Sequence, residues 1–129
     1  MKREENGGFK FERLEVWKIS LDYIDLCYAI AAKLPRQEEY NLNPQIVRAA
    51  TSIALNVAEG STGQSDAEQA RFLGVALRSF VETVPCRRLV QRRGYARTIE
   101  DLMASAEQVG QKLFAKLQAM RSSLKRGKP

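Results

Sequence analysis

Apolar side chains recur along this chain at three- and four-residue intervals. Strict alternation is sustained nowhere, so the pattern predicts helices and no sheet. The spacing predicts a first helix over residues 11–34. Leu14, Trp17, Leu21, Ile24, Tyr28 and Ala31 form one stripe on it, and Ile19, Tyr23, Leu26, Ile30 and Leu34 form a second beside the first. Together they make an apolar face wider than one neighbouring helix covers, which points to association between subunits. On this pattern Leu21→Ala or Ile24→Ala is expected to cost ~2–5 kcal/mol. Pro35 ends the helix, because proline lacks a donor and disfavours helical geometry in the residue before it.

Punctuation marks the remaining helices. Asn43 is a good N-cap and Pro44 suits the first helical position. A second helix then runs through Ile46, Ala50, Ile53 and Val57 to Glu59, with Gly60 as its stop. Ser65, with Glu68 three residues on, has the pattern of a capping box and opens a third helix. Phe72, Val75, Ala76, Phe80 and Val84 are its apolar positions. Pro85 is expected to interrupt and bend that helix. The pattern resumes at Leu89 and Val90 and stops at Gly94. Thr98 is placed to cap a fourth helix, whose stripe is Ile99, Leu102, Ala106, Val109, Leu113, Leu117, Met120 and Leu124.

Four long helices with short connections predict an all-α fold, an up-down antiparallel four-helix bundle. The bundle is expected over residues 11–124, between a flexible N-terminus at 1–10 and a basic tail at 125–129. No internal repeat is visible.

Charge changes the picture. The chain has 129 residues, 21 basic and 15 acidic side chains and a net charge of +6. Residues 1–40 carry 7 basic and 8 acidic groups, whereas residues 41–129 carry 14 basic and 7 acidic. Arg87, Arg88, Arg92, Arg93 and Arg97 follow one another with no acid among them. So do Lys112, Lys116, Arg121, Lys125, Arg126 and Lys128. An excess of this kind favours an acidic partner such as nucleic acid. A solvated face with a basic helix end that complements the helix dipole accounts for the same residues.

Composition also limits the chemistry. Histidine is absent, which removes His-based nucleophile pairs, His general bases and His-ligated zinc. The two cysteines, Cys27 and Cys86, form no CxxC motif and cannot complete a four-ligand zinc site. No P-loop or GxSxG motif is present. The pairs Glu38–Glu39 and Glu100–Asp101 are sequence neighbours, which diverge on a helix. Arg87 beside Cys86 would lower the thiol's pKa, although a small buried thiol near a helix kink is the ordinary expectation. No enzymatic activity, metal site or cofactor is therefore expected. No apolar run is long enough for a membrane span, and Met1–Lys10 lacks a secretory core. A reduced, cytoplasmic protein is the expectation.

The second helix carries an unusual polar line. Gln45, Arg48, Ser52, Asn56 and Glu59 step by three and four residues, flanked by Ala49, Ala50, Ala54 and Ala58. A polar line is ordinarily the solvated face. The sharper reading is a half-buried hydrogen-bond network in which Arg48 pairs with Glu82 of the third helix.

At this segment the chain resembles a known family. "FERLEVWKIS", "LPRQEEYNLNPQIVRAATSIALNVAEG" and "FLGVALRSFVE" are similar to the four-helix-bundle proteins encoded in 23S ribosomal RNA intervening sequences. The matching positions are Phe11, Leu14, Val16 and Trp17, then Pro35, Glu38 (or Glu39), Tyr40 and Leu42. In the second helix they are Gln45, Arg48, Ala49, Ala50, Ser52, Ile53, Asn56, Ala58, Glu59 and Gly60, followed by Phe72, Leu73, Ala76, Ser79 and Glu82. The resemblance spans about residues 9–95. It departs after Gly60, where Ser61-Thr62-Gly63-Gln64 replaces an aromatic and a basic residue, and at Pro85-Cys86-Arg87. It implies a bundle that assembles into a ring, with pentamers expected. It also implies kinship with retroelement accessory proteins that bind nucleic acid and a reverse transcriptase, and it implies no enzymatic activity.

Two functions follow. The first is a non-catalytic, homo-oligomeric protein that binds structured RNA or DNA. Its candidate contacts are Arg87, Arg88, Arg92, Arg93, Tyr95, Arg97, Lys112 and Lys116, acting on phosphates by shape or backbone rather than base identity. Gln45, Arg48, Ser52, Asn56, Glu59 and Glu82 form its polar network. The alternative is a protein-interaction adaptor or structural ring that binds no nucleic acid and uses charge for solubility.

Overall fold

The computed structural model describes residues 8–63 and 65–126. The first seven residues of the expected flexible segment, and Lys128 with the end of the expected tail, lie outside the described residues. A short 3-10 helix at Lys10–Arg13 leads into α1 (Glu15–Ala32), and a second at Arg36–Glu38 lies in the linker to α2 (Leu42–Gly60). Then follow α3 (Asp66–Arg92) and α4 (Glu100–Arg126). Each helix packs on the next, and α4 packs back on α1, which closes a four-helix bundle.

Cross-helix pairs give the directions. Asn43 at the start of α2 meets Ala31 at the end of α1, and Gly60 at the end of α2 lies against Gln69 and Phe72 near the start of α3. Arg87 of α3 meets Glu107 of α4, while Lys116 late in α4 meets Glu15 at the start of α1. All four neighbouring pairs therefore run antiparallel, as the short connections require.

The core is apolar and aromatic. Ile30, Ile46, Ile53, Leu73, Leu113 and Leu117 are sealed from solvent. Tyr23, Phe80 and Phe114 form a chain across α1, α3 and α4 with ring centroids 5.1 and 5.5 Å apart. Phe11 packs edge-on against Trp17 at 4.6 Å, so the 3-10 turn is held against α1.

Several expectations are corrected. The first helix is shorter at both ends than residues 11–34. Neither stripe is buried as a whole: Ile19, Tyr23 and Ile30 of the second and Ile24 and Ala31 of the first lie in the core, whereas Leu21 (40% exposed) and Tyr28 (51%) of the first face outward. The stripes lie side by side, and only contact with the other helices selects which of their positions are buried. Asn43 does not cap α2. The helix begins at Leu42, and the Asn43 amide instead donates to the Ala31 carbonyl at 3.1 Å, which also accepts the Leu34 N–H at the end of α1. Gly60 is the last residue of α2, and Ser61 follows as its C-cap. The reason for glycine is close packing: a Cβ there would lie 3.0 Å from the Phe72 Cβ.

Ser65 caps α3 as expected, its hydroxyl accepting from the Glu68 N–H at 3.2 Å. The Glu68 carboxylate turns to Arg71 at 2.6 Å rather than back to the cap. Pro85 does not interrupt α3, which continues through it to Arg92. Pro85 is exposed, and the Val81 carbonyl it leaves without a helical donor belongs to an exposed residue, where water is available. Thr98 lies ahead of the cap position of α4, which starts at Glu100, and α4 extends beyond residue 124 to Arg126. No helix among the described residues is long and apolar enough to cross a membrane.

Candidate nucleic-acid interface

The arginines of α3 divide by helical register. Phe80, Thr83, Arg87 and Val90 step by three, four and three residues and are all buried. That places Arg87 on the core line, only 2% exposed, and removes it from the candidate phosphate contacts. Its Nε donates to the Tyr23 hydroxyl at 3.1 Å, and its Nη1 donates to Glu107 Oε1 at 2.9 Å. The Tyr23 hydroxyl also shares a 2.6 Å hydrogen bond with Thr83, whose own hydroxyl is bonded to the Phe80 carbonyl. A buried cation is tolerated only with such partners.

The network shifts its titratable groups. Hydrogen bonds from Arg87 and then Arg88 hold the Glu107 carboxyl at about 2. Burial pushes the Tyr23 hydroxyl up to about 12. Burial would lower the Arg87 pKa, but the charges and hydrogen bonds of Tyr23 and Glu107 outweigh it and raise that pKa.

The other arginines face solvent. Arg88 pairs with Glu107 at 3.1 Å but remains half exposed. Arg92, Arg93 and Arg97 are exposed and make no ion pair among the described residues. They surround the α3–α4 turn, where Arg92 and Arg97 line an open groove with Gln91, Gly94, Glu100 and Glu107. On α4, Lys112 and Lys116 are exposed, and Lys116 is engaged with Glu15 at 3.0 Å.

Tyr95 is not a free ring. It is half-buried, donates its hydroxyl proton to Glu38 Oε2 at 2.8 Å and accepts from the Gln37 amide at 3.1 Å. These bonds tie the α3–α4 turn to the α1–α2 linker, so both lie at one end of the bundle. Of the acid pair in the linker, Glu38 is buried and bonded while Glu39 is exposed. The Tyr95 hydrogen bond chiefly lowers the Glu38 pKa, helped by the Asn41 amide and the nearby charge of Arg93.

The polar line of α2 is resolved in part. Asn56 donates to the Ser52 carbonyl and hydroxyl at 2.8 and 3.0 Å, and the Ser52 and Ser79 hydroxyls meet at 2.9 Å. This small seam joins α2 to α3. Gln45, Arg48, Glu59 and Glu82 are exposed outside it, and no ion pair joins Arg48 to Glu82. The expected pairing fails because the seam is built from short hydroxyls and both charges remain in solvent.

Neither thiol is activated. Burial raises the pKa of Cys27 to about 12, and burial, then the Glu82 charge, raises that of Cys86. Arg87 does not lower Cys86, because its guanidinium is committed to Tyr23 and Glu107. Among the described residues no group of three or more His, Cys, Asp or Glu is gathered to hold a metal ion.

The residues that sequence reasoning missed are Tyr23, Thr83 and Glu107. The 3-4-3 register that carries Arg87 into the core was the available signal. Glu107 had none, because its role depends on which turn of α4 faces α3.

The fold and its buried network define a small all-α bundle protein. A model of the 23S rRNA-intervening sequence proteins matches residues 12–115, and the chain belongs to that family. It is similar to the crystal structure of a protein of unknown function from the S23 ribosomal protein family of Bacteroides thetaiotaomicron VPI-5482. The TM-score is 0.69 at 24% identity, covering 82% of this chain and 97% of that one. No match to this chain is found among the curated proteins.

Proposed function

We propose that this protein is a non-catalytic, oligomeric, cytoplasmic nucleic-acid-binding protein. The observation that carries this reading is the set of exposed arginines at the α3–α4 turn, Arg92, Arg93 and Arg97, with Arg88 beside them. Bare guanidinium groups in a basic chain attract phosphates, and each neutralised phosphate releases counterions. The ring arrangement implied by the family would multiply the +6 of each chain and strengthen weak contacts.

The test is binding of structured RNA and duplex DNA across a salt series, with wild type and an Arg92→Glu/Arg93→Glu variant. Affinity that falls with salt, and falls further in the variant, supports the reading. Affinity absent at low salt, or indifferent to salt, overturns it.

One observation favours the adaptor or structural-ring reading. The exposed large apolar side chains Leu21, Tyr28, Leu55, Val81 and Leu89 lie on α1, α2 and α3, and α4 has none. That asymmetry leaves outer apolar surface on α1, α2 and α3 suited to a protein neighbour and a more polar outer surface on α4. The two readings separate if charge reversal changes nucleic-acid binding while subunit number stays constant.

A further inference from the structure

Tyr40 is the most exposed large apolar side chain of the described residues, at 91%. An aromatic ring left almost bare gains nothing for folding. Disorder does not explain the exposure, because the segment around it is fixed. The Glu38 and Glu39 N–H groups bond back to the Pro35 and Arg36 carbonyls at 2.9 and 3.0 Å. The Asn41 N–H bonds to the Glu38 carbonyl at 3.0 Å, and its side chain donates to Glu38 Oε1 at 3.1 Å. The other Glu38 oxygen accepts from Tyr95 at 2.8 Å. The Tyr40 backbone is therefore clamped from both sides and tied to the α3–α4 turn.

That turn carries the bare arginines. Arg93 is close enough to act on the Glu38 carboxylate, and Arg92 and Arg97 flank the same turn. Arg36, on the Tyr40 linker itself, is also exposed and has no ion pair among the described residues. One end of the bundle thus combines an exposed ring on a fixed backbone with unpaired guanidinium groups.

We infer that Tyr40 is a stacking platform for an unpaired nucleobase, with Arg36, Arg92, Arg93 and Arg97 holding the flanking phosphates. The inference rests on the nucleic-acid reading above and deepens it: the ligand contains single-stranded nucleotides. A duplex presents phosphates but keeps its base faces covered, whereas an unpaired base offers a π-face to an aromatic ring. Because the linker is already ordered, little backbone freedom is lost on binding. Tyr95, whose hydroxyl bonds the linker and whose half-buried ring packs against the core, positions this platform and does not stack.

The test uses the full chain and three fluorescein-labelled probes: an oligouridylate, the corresponding DNA oligomer and a blunt RNA duplex. Variants are Tyr40→Ala and Tyr40→Phe, each checked for helicity and subunit number. Tyr40→Ala is expected to weaken binding of both single strands about 10-fold, to leave the duplex within about 2-fold and to preserve the salt slope. Tyr40→Phe retains wild-type affinity. Preference between the RNA and DNA strands tells which source supplies the base.

Equal loss on single strand and duplex, or no loss on either, overturns the platform. So does a change in subunit number with binding intact, which assigns the ring to a second copy of the chain. Wild-type binding to the duplex alone overturns the platform and leaves the earlier reading standing. Binding to none of the probes overturns both.

Discussion

Glu107→Gln is expected to destabilise the protein more than Arg87→Met, although arginine is the larger and more deeply buried partner. The reason is which group is left stranded. Glu107→Gln leaves the Arg87 guanidinium, 2% exposed, with a neutral amide in place of a carboxylate. Breaking a fully buried pair costs about 3–5 kcal/mol. Glu107 is 39% exposed, so solvent screens the interaction and the expected cost falls to about 2 kcal/mol. Arg87→Met removes the buried charge and keeps an apolar stem of similar reach. Glu107 then still pairs with Arg88 at 3.1 Å, and the Tyr23 hydroxyl still bonds Thr83 at 2.6 Å. Its expected cost is about 1 kcal/mol.

The same pair sets a pH dependence. The folded Glu107 carboxyl sits at about 2 against an ordinary 4.5, so its contribution is present above the unfolded value and is lost as pH falls from about 5 toward 2. Discounted for exposure, the loss is about 1–2 kcal/mol. Urea unfolding followed by far-ultraviolet circular dichroism, at one protomer concentration and at pH 7 and pH 3, measures both effects. Glu107→Gln should show a smaller pH difference than wild type. The reasoning is refuted if Arg87→Met costs over about 1 kcal/mol more than Glu107→Gln, or if the pH difference survives in full in Glu107→Gln.

Two further outcomes are expected. Ile24→Ala, at an 8% exposed site, should cost about 2–4 kcal/mol and Leu21→Ala, at 40%, about 1 kcal/mol or less in the isolated chain, so similar losses in urea midpoints would contradict the different burial of these two positions of one stripe. Gly110→Ala places a Cβ 3.0 Å from a Tyr23 ring carbon and 3.2 Å from Phe80. Overpacking of about 1–3 kcal/mol should exceed a helix-propensity gain of about 1 kcal/mol, giving a lower melting temperature, and an unchanged or raised one would show that these rings yield.

Helix number, order and approximate extent were legible in the sequence, because they depend on local signals: a three-to-four residue apolar period, Ser65 at a cap, Pro35 after an end. The family pattern was legible too, through the long motif in α2. Which positions of the two adjacent stripes on α1 are buried was not, since both stripes satisfy the helical period. Nor could charge runs separate an exposed arginine from a buried one. Arg87 and Arg88 are neighbours in the chain, yet one lies in the core and the other in solvent.

The sequence by itself therefore determined an all-α bundle with a basic second part. Only the tertiary structure decided where that charge is available. It took Arg87 inward onto Tyr23 and Glu107, engaged Tyr95 with the linker and left Arg92, Arg93, Arg97 and Tyr40 bare at one end. The physical reason is that local periodicity fixes the angle of a side chain around its own helix axis. Burial and pairing depend on which other helix occupies that angle, and long-range packing alone sets it.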